Sequence, residues 1–311
     1  MNVHKVDNFL KHIKNPEIIA VHTIQNVLLR ELQNYAFNNG FKQLMPLLMS
    51  PITDPLNHEV YPAEIRYENT PLKLTASMIF HKQLALIPNA MEKILIMAPN
   101  IRLELAKKKS SENHLLEFSQ YDIEIKNADM NEVMDYLEGL YVHTFSEIER
   151  QCNKELKVLG RTLPKLNGAF PRYSTENIPW EKVDVFCHEI STKEKIPCFI
   201  TSFKREFYDK EDPSKPGTYR NFDLVYTEGY GEALSGAERE YEYDSIMRRM
   251  KELDMNLEPF ANYLEVAKRG LLPRSAGAGI GIQRLLKFIC GKKAIRDVCL
   301  FDRSILTDFA F

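Results

Sequence analysis

Two arginines and a few carboxylates stand out in this chain because of the residues around them. Arg102 lies in Ile101-Arg102-Leu103-Glu104, and ten residues after Glu104 comes His114-Leu115-Leu116-Glu117-Phe118-Ser119-Gln120-Tyr121-Asp122. These read as two apolar strands joined by a charged, lysine-rich loop. Arg284 closes a second segment far downstream, Gly277-Ala278-Gly279-Ile280-Gly281-Ile282-Gln283-Arg284. A guanidinium is permanently charged and grips two oxygens at once, so arginines suit a polyphosphate that must be neutralised and aimed. Between the two segments, Phe222-Asp223-Leu224 and Gly231-Glu232-Ala233 offer hard carboxylate oxygens at the ends of neighbouring strands. Mg²⁺ takes such donors, with water and phosphate completing an octahedron. Singly, each signal has a bland reading: a lone strand arginine is by default a surface charge, and spaced glycines make a turn. Together, and in this order, they point to nucleotide chemistry.

The two long segments resemble motif 2 and motif 3 of the class II aminoacyl-tRNA synthetases, in the aspartate/asparagine branch. That resemblance implies a role for each residue. Arg102 holds the α-phosphate of ATP and stabilises the charge that grows on it. Glu104 meets the adenine amino group, Phe118 stacks on the ring, and Leu115 belongs to the same ATP site. Arg284 holds the γ-phosphate, His114 touches the distal phosphates, and Gly279 and Gly281 let the backbone pass close to the nucleotide. Asp223 and Glu232 would bind Mg²⁺, nine residues apart, a wider spacing than in aspartate-specific relatives. ATP and Mg²⁺ are thus the implied cofactors.

The amino-acid end follows from the same resemblance. Arg239 stands seven residues after Glu232, the offset of the arginine that grips the side-chain end of the bound amino acid. Ser77-Met78-Ile79-Phe80-His81-Lys82 is similar to the segment whose lysine pairs with an aspartate carboxylate, where asparagine-specific members carry an acid. A buried lysine and arginine facing one pocket are costly unless an anion neutralises them, which favours a dicarboxylic amino acid. Gln120 and Asp122 are placed to receive a carboxylate oxygen and the substrate's ammonium, and Ser235 and Gly236 belong to the same pocket.

One region departs from the pattern. Relatives that charge tRNA carry a Thr-x-Glu-Gly-type loop after motif 1, whose glutamate helps hold the ammonium; here the region reads Ser50-Pro51-Ile52-Thr53-Asp54-Pro55-Leu56-Asn57-His58. Clamping the aspartate side chain exposes the α-carboxylate to ATP, whereas clamping the α-carboxylate exposes the β-carboxylate. With only some 15 residues before the first predicted helix, the chain resembles the archaeal asparagine-synthetase-related proteins, compact relatives of aspartyl- and asparaginyl-tRNA synthetases. The implied activity is asparagine synthesis from aspartate and ammonia through an aspartyl-adenylate, releasing AMP and pyrophosphate. Aspartate, ammonia and a second copy of the chain are then the expected partners, and tRNA an unlikely one. The alternative is a truncated aspartyl-tRNA synthetase-like enzyme aspartylating a tRNA or another acceptor; a catalytically silent regulator is a third reading, which the full phosphate clamp disfavours. Lys107-Lys108-Lys109 read as a solvated loop, with phosphate contact as the alternative. Phe170-Pro171-Arg172-Tyr173 and Phe207-Tyr208 are given packing roles.

The elements that must position these residues are partly legible. Helical spacing runs over residues 17 to 38 behind Asn15-Pro16, with Gly40 ending it, and residues 41 to 49 are extended. Strands are predicted over 72–75, 93–98, 198–203 and 222–226, and helices over 77–86, 131–152, 241–253, 258–269 and 284–290. The stretch 170–180 reads as loop. Mixed strands with flanking helices give an α+β class, and the resemblance implies a core of six antiparallel strands with one parallel neighbour. Residues 1–311 are expected to form a single catalytic domain without the family's anticodon-binding domain.

Composition excludes several alternatives. The 311 residues are 44% hydrophobic and 27% charged, enough for a large globular core. No apolar run approaches the roughly 18 residues of a membrane span, and the polar N-terminus lacks a signal-peptide core, so a cytoplasmic chain is expected. The five cysteines contain no Cys-x-x-Cys pair, which argues for reduced thiols. The 41 basic and 43 acidic side chains advertise no strongly basic face.

Overall fold

A computed structural model describes residues 3–167 and 169–305. At its centre is an eight-stranded sheet of β1 (Lys42–Leu44), β2 (Lys93–Ile101), β3 (Glu117–Lys126), β4 (Arg172–Ser174), β5 (Cys198–Thr201), β6 (Asn221–Tyr226), β7 (Gly231–Glu238) and β8 (Ser275–Gly281). Their spatial order is β1-β2-β3-β8-β7-β6-β5-β4. The six central strands are mutually antiparallel, while β1 and β4 lie parallel along the two edges. The second parallel edge, β4, falls in the stretch read as loop. Three residues carry no readable alternation, and this strand exists through its pairing with β5.

The helices are α1 (Val3–Ile13), α2 (Pro16–Asn38), α3 (Ile79–Ala85), α4 (Met130–Gln151), α5 (Asn153–Val158), α6 (Val183–Lys193), α7 (Tyr243–Glu252), α8 (Ala261–Lys268) and α9 (Ile282–Cys290). Asn15 caps α2 by accepting the Glu17 N–H, and Pro16 occupies the first turn, where its missing donor is harmless. Asp129 and Glu132 form a reciprocal capping box on α4. Pro259 lies in a short 3₁₀ turn, Glu258–Phe260, that leads into α8. Helices α1, α5 and α6 were not predicted. Among its residues α6 buries only Val183, Ile190 and Ser191, too few to show a period.

One face of the sheet is dry. Val21, Ile24, Leu28 and Leu32 of α2, Leu137 and Phe145 of α4, and Leu285 and Phe288 of α9 join one core with Tyr121 and Ile123 of β3. Phe288 stacks on Tyr226 with centroids 4.3 Å apart, and the Tyr141 and Tyr226 hydroxyls meet at 2.9 Å. Side chains alternate along a strand, so Asp122 and Glu124 of β3 project from the opposite face. A second apolar cluster on α3, α7 and α8 includes Phe80, Phe207, Tyr208, Ile246, Met250 and Tyr263. The cysteines are free, and burial raises the thiol pKa values of Cys290 and Cys299 to about 12. Among the described residues no helix is long and apolar enough to cross a membrane.

Candidate active site

A cavity of about 420 Å³ opens where β3, β7 and β8 present Phe118, Gln120, Asp122, Ser235, Gly279 and Gly281. Strand register explains the convergence. Asp122 faces Gly279, Gly279 faces Ser235, and Ser235 faces Asp223 across successive strands. Gly279 is needed in this row because a Cβ there would lie 2.6 Å from Asp122 Oδ1 and 3.0 Å from Gln120 Nε2. Gly277 makes the same room for Glu124, whose Oε2 would be 2.2 Å from an added Cβ. The strand glycines thus let the β3 carboxylates lie flat across the sheet. That is a different role at Gly279 from the close nucleotide approach expected of it; Gly281 lines the cavity beside Arg284.

One end of the cavity gathers Arg102, His114, Glu232 and Arg284, with Leu115 in its wall. Arg102 lies over the Phe118 ring, 5.2 Å from its centroid, and its Nε donates to the Ala76 carbonyl at 3.1 Å. Arg284 Nη1 donates to Glu232 Oε1 at 3.0 Å, and the charge of the guanidinium holds the Glu232 carboxyl below its ordinary range, against a smaller desolvation cost. His114 contacts Ser111, and burial, with Lys108 and Arg284 nearby, lowers its pKa to about 4. It is therefore a neutral ring at neutral pH. Glu104 is doubly engaged: His58 Nε2 lies 3.0 Å from Oε1 and Lys108 Nζ 2.7 Å from Oε2. Burial alone would raise Glu104, but these two hydrogen bonds outweigh it and lower its pKa. Lys108, read as part of a solvated loop, is thus turned into the site.

At the other end Lys82 and Arg239 are 2% and 5% exposed. Lys82 Nζ donates to Asp122 Oδ1 at 2.8 Å and lies 3.8 Å from Glu124 Oε2. Arg239 grips Glu124 through Nε at 3.0 Å and Nη2 at 3.2 Å, and its Nη1 edge faces Asp209 at 3.9 Å. The expectation that these cations await a substrate anion is corrected: β3 supplies the neutralising acids. What remains is donor chemistry, since both groups only donate hydrogen bonds. Ser77, Gln120, Ser235 and Gly236 also line the cavity, and Gln120 accepts a hydrogen bond from Asn100.

Asp223 is placed differently from the expectation. It is buried, and its Oδ1 accepts from Arg205 Nη1 at 2.7 Å. Burial raises its pKa and Arg205 opposes that rise. Arg205, not Asp223, faces the cavity. Among the described residues no three potential ligands cluster around a metal position, but Mg²⁺ between phosphates needs only one or two protein carboxylates. Glu232, with about half its side chain exposed, fits that need; Asp223 does not while it is paired with Arg205.

The chain also supplies residues that were not singled out. Asp54, His58, Arg205, Glu206 and Asp209 all line the cavity. Tyr208, given only a packing role, donates its hydroxyl to Asp54 Oδ2 at 3.1 Å. Burial, then Asp209 and Asp54, push Glu206 up to about 8, while Arg205 pulls the other way. The signal for Asp54 and His58 was the unusual composition of 50–58, which the sequence displayed without explaining.

The model of the tRNA synthetases class II family (D, K and N) matches residues 2–304. The chain is 26% identical to the asparagine--tRNA ligase of Thermoplasma acidophilum, over 96% of this chain and 72% of that protein. It is 30% identical to the aspartate--tRNA(Asp/Asn) ligase of Methanopyrus kandleri, over 96% and 71%. In fold it resembles the asparaginyl-tRNA synthetase from Pyrococcus horikoshii complexed with asparaginyl-adenylate, with TM-score 0.88 and 23% identity over 99% of this chain and 74% of that one.

Proposed function

Because the chain belongs to the class II tRNA synthetases of the D, K and N group, we propose that it is an ATP-dependent ligase that activates aspartate as aspartyl-adenylate and passes the aspartyl group to tRNA. This corrects two expectations from the sequence. Relatives named asparagine--tRNA and aspartate--tRNA ligases overturn the reading as a free-asparagine synthetase, and they make tRNA the expected acceptor in place of an unlikely partner. The sequence departures at 50–58 are changes within a synthetase site.

The observation that carries the reading is the single cavity in which Arg102 and Arg284 face one end and Lys82 and Arg239 the other. Arg102 takes the α-phosphate, Arg284 the terminal phosphates, and neutral His114 donates or accepts beside them. Phe118 offers adenine a ring face, and Glu104 accepts from its amino group. Glu232 would hold Mg²⁺, which would supply positive charge to offset that of the departing pyrophosphate. Lys82 and Arg239 orient the substrate side chain. Both are pure donors, so they match a carboxylate, which accepts on both oxygens, better than a carboxamide, whose NH₂ would oppose them. Aspartate is the substrate this selects. Its α-carboxylate then attacks the α-phosphate in line, and positioning and electrostatics carry the step without a covalent enzyme nucleophile. A tRNA terminal hydroxyl attacks the resulting acyl group and AMP departs. Exposed Lys107 and Lys109, in the loop between β2 and β3, are the residues that would meet the incoming tRNA backbone.

Pyrophosphate exchange into ATP tests the first half-reaction. Exchange should require aspartate, should be at least tenfold weaker with asparagine, and should be lost in Arg102→Ala. Exchange that asparagine supports better than aspartate would overturn the assignment of the amino acid.

A further inference from the structure

The amino-acid end of the cavity carries more acid than its own cations balance. Lys82, Arg205 and Arg239 are its three bases. Lys82 serves Asp122, Arg239 serves Glu124, and Arg205 serves Asp223 at 2.7 Å. Asp209 draws on what is left, with Arg205 Nε at 3.4 Å, Arg239 Nη1 at 3.9 Å and the Asn221 amide at 2.7 Å. Two more carboxylates are left short of neutralising charge. Among the described residues Asp54 accepts only from neutral donors, the Leu56 N–H at 2.9 Å and the Tyr208 hydroxyl. Glu206 has the Asn57 amide at 3.3 Å and Arg205 Nε at 3.2 Å, a nitrogen it shares with Asp209 on a guanidinium already engaged by Asp223. Asp122 Oδ2 is likewise buried with no hydrogen-bond partner among the described residues, in a residue 2% exposed that lines the same cavity. Unpaired buried acceptors are costly and mark a position that a donor is meant to fill.

We propose that Glu206 and Asp54 are the specificity-determining residues that, with Asp122, hold the α-ammonium of the amino-acid substrate. An ammonium has three donors and one positive charge, which is the chemistry this corner lacks. The assignment rests on the reading of the cavity as an amino-acid-activating site. It also gives the unusual 50–58 segment a purpose: Asp54 and Asn57 both reach the ammonium corner from it, Asn57 by orienting Glu206. Ammonium binding here is coupled to a proton. Glu206 faces Asp209, Asp54 and Arg205, with Tyr208 and Arg239 nearby, and burial beside these acids pushes its pKa up to about 8. Below that pH the substrate must expel a proton to find a charged partner. Above it the partner is already ionised, so aspartate binds more tightly as pH rises toward and through 8.

The test uses pyrophosphate exchange with the whole chain, comparing wild type, Glu206→Gln and Asp54→Asn at pH 6 to 9. Succinate, which is aspartate without its amino group, serves as a competitive inhibitor. Glu206→Gln should raise KM for aspartate at least tenfold at pH 8, leave KM for ATP and Ki for succinate within about twofold, and flatten the fall of KM with pH. Its Tm should equal or exceed that of wild type, because the change removes acid repulsion; Asp54→Asn should show the same split between aspartate and succinate. Unchanged aspartate KM and pH profile in both variants would overturn the proposal, as would parallel losses for aspartate and succinate. Absence of amino-acid-dependent exchange in the wild type would instead count against the activation reading itself, so the two failures are distinguishable.

Discussion

Gly279 sets the shape of the amino-acid end by having no side chain. Its position in β8 faces Asp122 of β3, and the missing Cβ is the space that Asp122 Oδ1 and Gln120 occupy. Gly279→Ala must displace one of those groups, and overpacking of this kind costs about 1–3 kcal/mol. The cost should fall on the amino acid: KM for aspartate in pyrophosphate exchange should rise tenfold or more, with KM for ATP little changed. Gly281→Ala is the internal control, because an added Cβ there meets nothing nearer than Arg284 Cβ at 3.7 Å. It should leave the aspartate KM within about twofold of wild type. Equal effects of the two substitutions on aspartate would show that the strand glycines do not shape the pocket in this way. Lys82 and Arg239 illustrate a complementary point. Each is neutralised from within the protein, so selectivity between a carboxylate and a carboxamide depends on donor geometry and not on bare charge.

In the β2–β3 hairpin Lys108 Nζ lies 2.7 Å from Glu104 Oε2. Under the proposed function, adenine would have to share or displace that contact. A partly exposed pair of this type is worth about 0–1 kcal/mol. Lys108→Met should therefore lower KM for ATP by up to about fivefold, measured by exchange at saturating aspartate; a clear rise would mean that Lys108 itself grips the nucleotide. This hairpin was readable in the sequence because Arg102, Glu104, Phe118 and Asp122 sit in two local runs with a polar loop between them. Helix α4 was readable for a similar reason, with a regular apolar stripe, although its Asp129 cap went unremarked. Other features depended on partners far away in the chain. Strand β4 takes its form from β5, and Arg239 is neutralised by Glu124, 115 residues before it. Asp223 is covered by Arg205, a residue in a loop with no pattern of its own. Local periodicity reports which face of an element is buried, but not which charge a distant strand will set opposite it.

At the scale of the whole molecule, α2 and the segment after it leave apolar side chains uncovered. Ile19, Phe37, Met45, Leu47, Leu48 and Met49 are all exposed, Met45 by 87%. These residues lie in α2 and the extended stretch that follows it, and uncovered apolar groups of this number mark an association surface. Sedimentation should give twice the 36.1 kDa mass of the chain, and Met45→Asp with Leu48→Asp should give the single-chain mass. A wild type that sediments as one chain at micromolar concentration would assign this band to another contact. At the same scale, the proposed function requires both ends of the cavity and the exposed loop lysines to act on one substrate set in sequence. Charging of tRNA with radiolabelled aspartate in the presence of ATP and Mg²⁺, followed on acid gels, tests that claim most directly. The account predicts label on the tRNA 3′ end, dependent on ATP and lost in Arg102→Ala. Robust aspartate-dependent pyrophosphate exchange with no label on any tRNA species would contradict it.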